Sequence, residues 1–433
     1  MRKTLATLAV VTLALSACTP RETENPATAQ PGIDELARQY LFLELSMGNH
    51  DEGHVDAYFG PESIRTAAQE QQLELSEILG RSAELAAALG GIDAGEDAML
   101  EARIAGLVAR LRALDTRIGI ARGELLSFDE ETMLLFGTRA PQYDASHFEA
   151  ILVEVDQLLP GDGPLVARVA AFNEQFAIPP DNLAAVFEAA MAECRRRTLQ
   201  HIDLPDNENF VIEYVTDKPW SGYNWYQGNA QSLIQVNTDF PIYISRAVDL
   251  GCHEGYPGHH TFNALLEKNL VGDLGWIEWS LYPLFSPQSL IAEGSGNYGI
   301  DLAFPGDERT TFEKDVLFPL AGLDADKADK YYQLGQLLAQ LNYAGNEAAR
   351  QYLNGEATRD EAIEWLKRYA LSPEDRAGQR TRFFDAYRSY VINYNHGKDL
   401  VRAYVERDGA DSRQRWARFE AMLSTPLLPS DLN

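Results

Sequence analysis

From Ile33 to about Leu204, apolar residues return every three or four positions, the spacing of one face of an α-helix. Asp34 opens the first such run, with Leu36, Tyr40, Leu43 and Met47 along its apolar stripe. Gln69–Leu89 and Ala98–Leu114 follow the same rule with Gly90-Gly91 between them, and Pro179-Pro180-Asp181 starts a helix that runs through Ala190. Beyond Pro205 the pattern changes. Phe210–Val215 alternates and is rich in β-formers, and Tyr223–Gln227 and Ser232–Val236 are two further short strand candidates. Asp239-Phe240-Pro241 then opens a helix through Ile244, Ala247 and Val248 to His253. Helices resume at Ser286-Pro287, a good cap and first-turn pair, and cover roughly 323–370 and 375–407. The pattern predicts a mainly α chain with a small β-sheet (α+β): a large helical lobe over 33–204, then a mixed region over 205–433, the two forming one compact unit. No fixed-period repeat is visible.

The N-terminus reads differently. Arg2 and Lys3 precede an apolar stretch, Leu5–Leu15, which is followed by Leu15-Ser16-Ala17-Cys18. A positive end, an apolar core and small residues at the cut are the layout of a secretory signal, here 1–17. The stretch is shorter than the ~20 apolar residues of a membrane span. A Cys directly after two small residues resembles the bacterial lipoprotein box, in which that thiol is acylated and becomes the mature first residue. Residues 18–32 are polar, proline-rich and without period, as a tether would be. Thr19 rather than Asp follows Cys18, which by the usual lipoprotein sorting pattern implies the periplasmic face of the outer membrane in a host with two membranes. Nothing after residue 18 is long and apolar enough for a membrane helix, so the expected contact with the membrane is the lipid alone.

Composition narrows the partners. The chain of 433 residues carries a formal net charge of −28, which argues against nucleic acid as a partner. The one basic cluster, Arg195-Arg196-Arg197, reads as a solvated helix face. With Cys18 lipidated, Cys194 and Cys252 remain; an exported compartment permits a disulfide between them, and two unpaired core thiols fit the sequence equally well. Oligomeric state is not set by anything in the sequence.

Eight His occur in the chain, and three lie in one short string, His253-Glu254-Gly255-Tyr256-Pro257-Gly258-His259-His260. Neutral imidazoles bind zinc, and a neighbouring carboxylate takes a proton from the water that the metal activates. The usual arrangement is His-Glu-x-x-His on one helix face, but Pro257 stands where the second His would be. On a regular helix an offset of six is ~120° off face, and an offset of seven is ~20° off but ~10 Å along the axis. A bulge or break at Pro257-Gly258 would bring a second His back to the metal. His259 needs two residues bulged out and is the preferred ligand; His260 needs three and competes with it. Downstream, Glu293 sits among Gly294, Ser295 and Gly296, small residues that let helices approach closely, and is the expected third ligand. Asn297 and Asp301, one and two turns on, are candidates to orient a ligand His.

These residues resemble a bacterial family known as domain of unknown function 885. The match rests on the His253–His260 string, on Glu293-Gly294 with Tyr298, on Trp225-Tyr-Gln-Gly228 with Val236-Asn-Thr238, and on Tyr394-Asn-His-Gly397. Gly48-Asn-His-Asp51 and Asp56-Ala-Tyr-Phe-Gly-Pro61 are also similar, whereas Ser295 and Gly296 stand where the family has Trp and Ala. The resemblance spans most of 34–405 and implies a zincin-like metallopeptidase fold, with members that are often lipoproteins. It implies a metal held by His253, by His259 or His260, and by Glu293, with Glu254 as general base. It supplies no substrate.

The chemistry expected from the residues is zinc-dependent hydrolysis of a peptide or small amide, with Glu254 passing the proton on to the leaving amine. Tyr394 and His396, with Tyr256 behind them, are candidate donors to the developing oxyanion. Trp220, Tyr223, Trp225 and Tyr226 could line a groove, and Ser232–Val236 could pair with an extended peptide. Two rivals stand beside this reading: a metal-dependent hydrolase of a non-peptide amide or ester, and a non-catalytic envelope lipoprotein that binds a ligand or partner.

Overall fold

The structure is a computed structural model and describes residues 32–218 and 220–432; Cys18, the signal and the tether up to residue 31 lie outside the described residues. The first half is helical around one short strand: α1 (Ile33–Met47), β1 (Val55–Tyr58), α2 (Glu62–Gln71), α3 (Leu75–Gly90), α4 (Ala98–Ala121), α5 (Phe128–Phe136), α6 (Ala145–Leu158), α7 (Leu165–Asn173) and α8 (Leu183–Thr198). Leu36, Tyr40, Leu43 and Met47 of α1 are all buried, as their spacing requires. The single helix expected over Gln69–Leu89 is two helices. Gln72 closes α2 with a left-handed φ of +44°, and Glu74 forms a capping box that starts α3.

Next come β2 (Asn209–Val215), β3 (Gly222–Gly228) and β4 (Gln231–Asn237), in the order β2-β4-β3. β4 runs parallel to β2 and antiparallel to β3. It is therefore the central strand and has no free edge, so the expectation that Ser232–Val236 pairs with a peptide is corrected; β2 and β3 are the edge strands. Helix α9 (Ser245–Leu250) begins later than Asp239–Pro241 would suggest. Ile178 N–H donates to Ile242 O at 2.8 Å and Ile244 N–H to Phe176 O at 2.9 Å, and these bonds keep the intervening backbone extended.

After α9 follow α10 (His259–Leu266), β5 (Leu281–Pro283), α11 (Pro287–Ala303), α12 (Glu308–Phe312), α13 (Phe318–Ala321), α14 (Ala328–Gln340), α15 (Tyr343–Leu353), α16 (Arg359–Tyr369), α17 (Glu374–Tyr387), α18 (Ile392–Glu406) and α19 (Ser412–Leu423). β5 pairs antiparallel with β1, which stitches the N-terminal helices to the second half of the chain. The fold is mainly α with a small mixed sheet. Its centre is α11, buried on every side from Pro287 to Gly296. A helix surrounded in this way is built mostly of apolar or small residues, and Gln288 and Glu293 are the long polar exceptions in this span. Gly294 and Gly397 let α11 and α18 touch backbone to backbone: a Cβ on Gly294 would lie 2.5 Å from the carbonyl of Gly397.

Cys194 of α8 is bonded to Cys252, immediately before His253, with Cα atoms 5.5 Å apart. The bond closes a loop over a separation of 58 residues. Chain-entropy reasoning assigns such a loop ~4 kcal/mol. Reduction, or Cys194→Ser with Cys252→Ser, should therefore lower the midpoint of thermal unfolding; an unchanged midpoint would refute that contribution.

Candidate metal centre

The helix that begins as α9 widens into one π-type turn over Gly251–Gly255, which carries His253 and Glu254. It then breaks at Tyr256-Pro257-Gly258, and α10 starts at His259. Gly258 is required by contact: a Cβ there would lie 1.8 Å from the carbonyl oxygen of His253. The break thus places His253 at the end of one helix and His259 at the start of the next, with ring centres 4.6 Å apart.

Glu293 of α11 faces both rings. Its Oε2 lies 3.2 Å from His253 Nε2 and 3.8 Å from His259 Nε2. The three ligand atoms lie within 4.8 Å of one another. Oε2 is buried and accepts no hydrogen bond from either ring, while Oε1 accepts one from Tyr390 Oη at 2.8 Å. Two imidazole nitrogens and an unsatisfied carboxylate oxygen pointing at one spot are a donor set that fits a metal ion. Gly296 makes room for His253: a Cβ there would lie 2.8 Å from Nδ1.

Electrostatics agree with that geometry. Burial and the neighbouring His253 push His259 down to about 4, so its ring is neutral and able to donate to a metal. Burial, reinforced by Glu293, raises Glu254 to about 7, the range in which a carboxylate works as a base at neutral pH. Burial works against ionisation of Glu293, but His253 and His259 outweigh it and hold that carboxyl below its ordinary range. Glu254 is almost fully buried against edge strand β3; a Cβ on Gly222 would lie 3.0 Å from its Oε1. Asn224 Nδ2 donates to the carbonyl of Glu254 at 2.6 Å and fixes its backbone.

His260 is not part of the cluster. Its Nδ1 lies 2.8 Å from Ser232 Oγ and its Nε2 3.1 Å from Glu208 Oε2, so both nitrogens are engaged. Successive helix residues point ~100° apart, so His259 and His260 cannot both face Glu293. Tyr256 is buried beside His260 and donates to Glu208 as well, which makes it a buttress rather than an oxyanion donor. Glu208 loses solvation, but hydrogen bonds from His260, Tyr256 and Arg195 outweigh that loss and hold it down at about 2. A carboxylate lowered on folding stabilises above its unfolded pKa and loses that contribution as pH falls through its folded value. Glu208→Gln should therefore cost about 2 kcal/mol at neutral pH, with the deficit shrinking from pH ~5 towards ~2. A deficit independent of pH in denaturant titrations would refute this.

Three further candidates are also relocated. Asn297 Nδ2 donates to the carbonyls of Glu293 and Tyr394 at 3.1 and 3.2 Å, tying α11 to α18 without touching a His ring. Asp301 bridges to Lys398 at 2.8 Å and Arg402 at 2.6 Å, because eight residues on from Glu293 is ~80° around and ~12 Å along the helix. His396 Nε2 meets Thr138 Oγ1 at 3.0 Å. It lies ~200° around α18 from Tyr394, so the two cannot serve one site. Tyr394 is the one on the site's side: its ring lies 5.8 Å from that of Tyr390, and Glu293 and Glu254, after burial, raise its hydroxyl. Of the aromatic group, Trp220, Tyr223 and Trp225 lie in series with tilted rings, while Tyr226 turns inward to Phe59 and Glu267.

No protein-family profile matches the chain, and no curated protein matches it. Solved structures do. A candidate lipoprotein from Colwellia psychrerythraea superposes with a TM-score of 0.50 at 14% identity, covering 92% of this chain and 77% of that one. A candidate lipoprotein of unknown function from Shewanella oneidensis gives 0.44 at 13% identity, covering 95% and 79%. An M32 carboxypeptidase from Deinococcus radiodurans R1 gives 0.39 at 12% identity, covering 92% and 93%. The first of these likenesses shows a shared fold.

Several residues at the site were not singled out from the sequence. Asp56 on β1 accepts a hydrogen bond from Tyr223, and its carboxyl is raised by burial and by Glu293 and Glu254. Tyr282 on β5 is buried with its hydroxyl unpartnered, near Asp56 and Glu293. Tyr390 holds Glu293 directly. Asp56, on β1, is far from the His string along the chain, Tyr282 comes from its partner strand β5, and no local pattern links either of them to it.

Proposed function

We infer that this chain is a zinc-dependent hydrolase of peptide or small amide bonds, zincin-like in arrangement and held in the cell envelope by lipid on Cys18. The observation that carries the reading is the unsatisfied Glu293 Oε2 set between His253 Nε2 and His259 Nε2, with Glu254 beside them. His253, His259 and Glu293 would hold the ion, which when bound polarises a carbonyl and lowers the pKa of water. Glu254 accepts a proton at its carboxylate and returns it to the leaving nitrogen; its raised pKa keeps both steps close to balance at neutral pH. Tyr394 Oη would donate to the developing oxyanion, a role supported by its ring's contact with Tyr390. The packed wall of α11 excludes water behind Glu293. The anchor is supported by the signal layout before Cys18 and by the fold shared with a candidate lipoprotein. Among the described residues no helix is long and apolar enough to cross a membrane.

Glu254→Gln tests the reading. The variant should keep its zinc and lose turnover of a fluorogenic peptide pool by ~10²–10⁴-fold. Undiminished turnover would remove Glu254 from the role of base. Wild-type protein that cleaves p-nitrophenyl esters but no peptide or anilide would move the reading to a non-peptide hydrolase.

A further inference from the structure

α17 carries Arg376, Arg380, Phe383 and Tyr387 at intervals of four, three and four, which puts them on one face. That face looks towards the candidate metal centre. The ring of Tyr387 lies 6.1 Å from that of Tyr390, the residue that holds Glu293, and the ring of Phe383 lies 6.3 Å from that of Tyr394. At the other end, the guanidinium of Arg376 lies 3.7 Å from the ring centre of Phe240, where the chain leaves β4 and heads for α9. Arg380 lies between, packed on Gly345, where a Cβ would sit 2.7 Å from its Nη2.

Arg376 and Arg380 are both without an acidic partner among the described residues. Among the described residues neither lies within 4.0 Å of a carboxylate, in a chain with 65 acidic and 37 basic residues. Burial lowers the pKa of both, with no neighbouring carboxylate to restore it fully. Yet Arg380 is exposed to water. Arg376 is half-buried, and holding a cation partly out of water without a counter-charge is costly. Guanidiniums left in that state at a site are suited to receive a carboxylate in bidentate fashion.

The geometry points to α17 as the carboxylate-recognition face of the site: Arg380, with Arg376 beside it, receives the free C-terminal carboxylate of a peptide, so the chain removes residues from C-termini rather than cutting internally. This rests on the hydrolase reading above and narrows its substrate. No covalent chemistry falls to α17. It positions the substrate by binding the terminal carboxylate while Glu254 and the metal ligands act on the amide nearby.

Binding separates this inference from the reading it rests on. The protein carrying Glu254→Gln, which cannot turn the probe over, is first assayed for zinc. It is then titrated, with and without zinc, with a pool of N-acetylated dipeptides and with the same pool amidated at the C-terminus. The free acids should bind at least ~10-fold more tightly than the amides, the gain of one charge-assisted pair. Adding Arg380→Gln should shrink the preference to below about twofold at unchanged zinc content, and Arg380→Lys should restore part of it. Acids and amides that bind alike, acids that do not bind, or a preference that survives Arg380→Gln would overturn the inference. Absence of zinc uptake would instead overturn the hydrolase reading, while the acid–amide comparison without zinc would still decide the role of α17.

Discussion

Gly258→Ala should cost the protein both stability and its metal centre. The added Cβ would lie 1.8 Å from the carbonyl oxygen of His253 and 2.5 Å from that of Cys252. These are backbone atoms in a buried turn, fastened by the bond from Gly258 N–H to Cys252 O at 3.0 Å and by the Cys194–Cys252 bridge. They cannot swing aside as a side chain can, so the break between His253 and His259 must open. Overpacking of a core costs ~1–3 kcal/mol where neighbours can adjust. Here the upper end or more is expected. His259 moves with the turn, so zinc affinity should fall as well, since a ligand displaced by even ~1 Å is badly placed. Gly255→Ala is the matched control. Its Cβ would meet only the mobile Cε of Met191, at 3.2 Å, and should cost less than ~1 kcal/mol. Thermal unfolding and zinc stoichiometry measured on both variants decide the matter; a Gly258→Ala protein with wild-type midpoint and zinc content would refute the role given to this glycine.

How much was legible in the sequence follows from what each pattern depends on. The buried stripe of α1 and the three short strands depend on local periodicity, and they lie where the periodicity puts them. The delayed start of α9 depends on partners elsewhere, and no spacing reveals it. The same division runs through the site. The unusual spacing of His253 and His259, with Pro257-Gly258 between, points to a break in the helix, and the helix does break there. Which way a residue faces around a helix is another matter. His260, Asn297 and Asp301 sit near the cluster in sequence and His396 sits beside Tyr394, yet each is turned to a different partner by the packing of its own helix. Glu293-Gly294 and Tyr394-x-x-Gly397, which read as separate motifs, are the two sides of one helix crossing. Asp56, Tyr282 and Arg380 reach the site through tertiary contacts alone.

Glu293→Ala should leave the metal-free protein nearly as stable as wild type and abolish its stabilisation by zinc. If Glu293 were simply the buried partner of His253, its removal would weaken the fold under all conditions, because an unpaired buried charge is costly. At pH ~8 that penalty is avoided, since an imidazole relieved of its carboxylate partner sheds its proton. What remains is the lost hydrogen bond from Tyr390, ~1 kcal/mol. Removing Glu293 also removes a like charge that raises Glu254, which works in the opposite direction. With zinc the comparison reverses. A ligand that binds only the folded protein stabilises it by ~4 kcal/mol at a thousandfold excess over its Kd. Wild type should show that gain; Glu293→Ala and His259→Ala, each reduced to two protein ligands, should show almost none at the same zinc concentration. Thermal or denaturant unfolding with and without zinc reads all six states directly. Equal zinc responses in wild type and Glu293→Ala would show that the carboxylate is not a ligand, and a large zinc-independent loss would make it a structural ion pair.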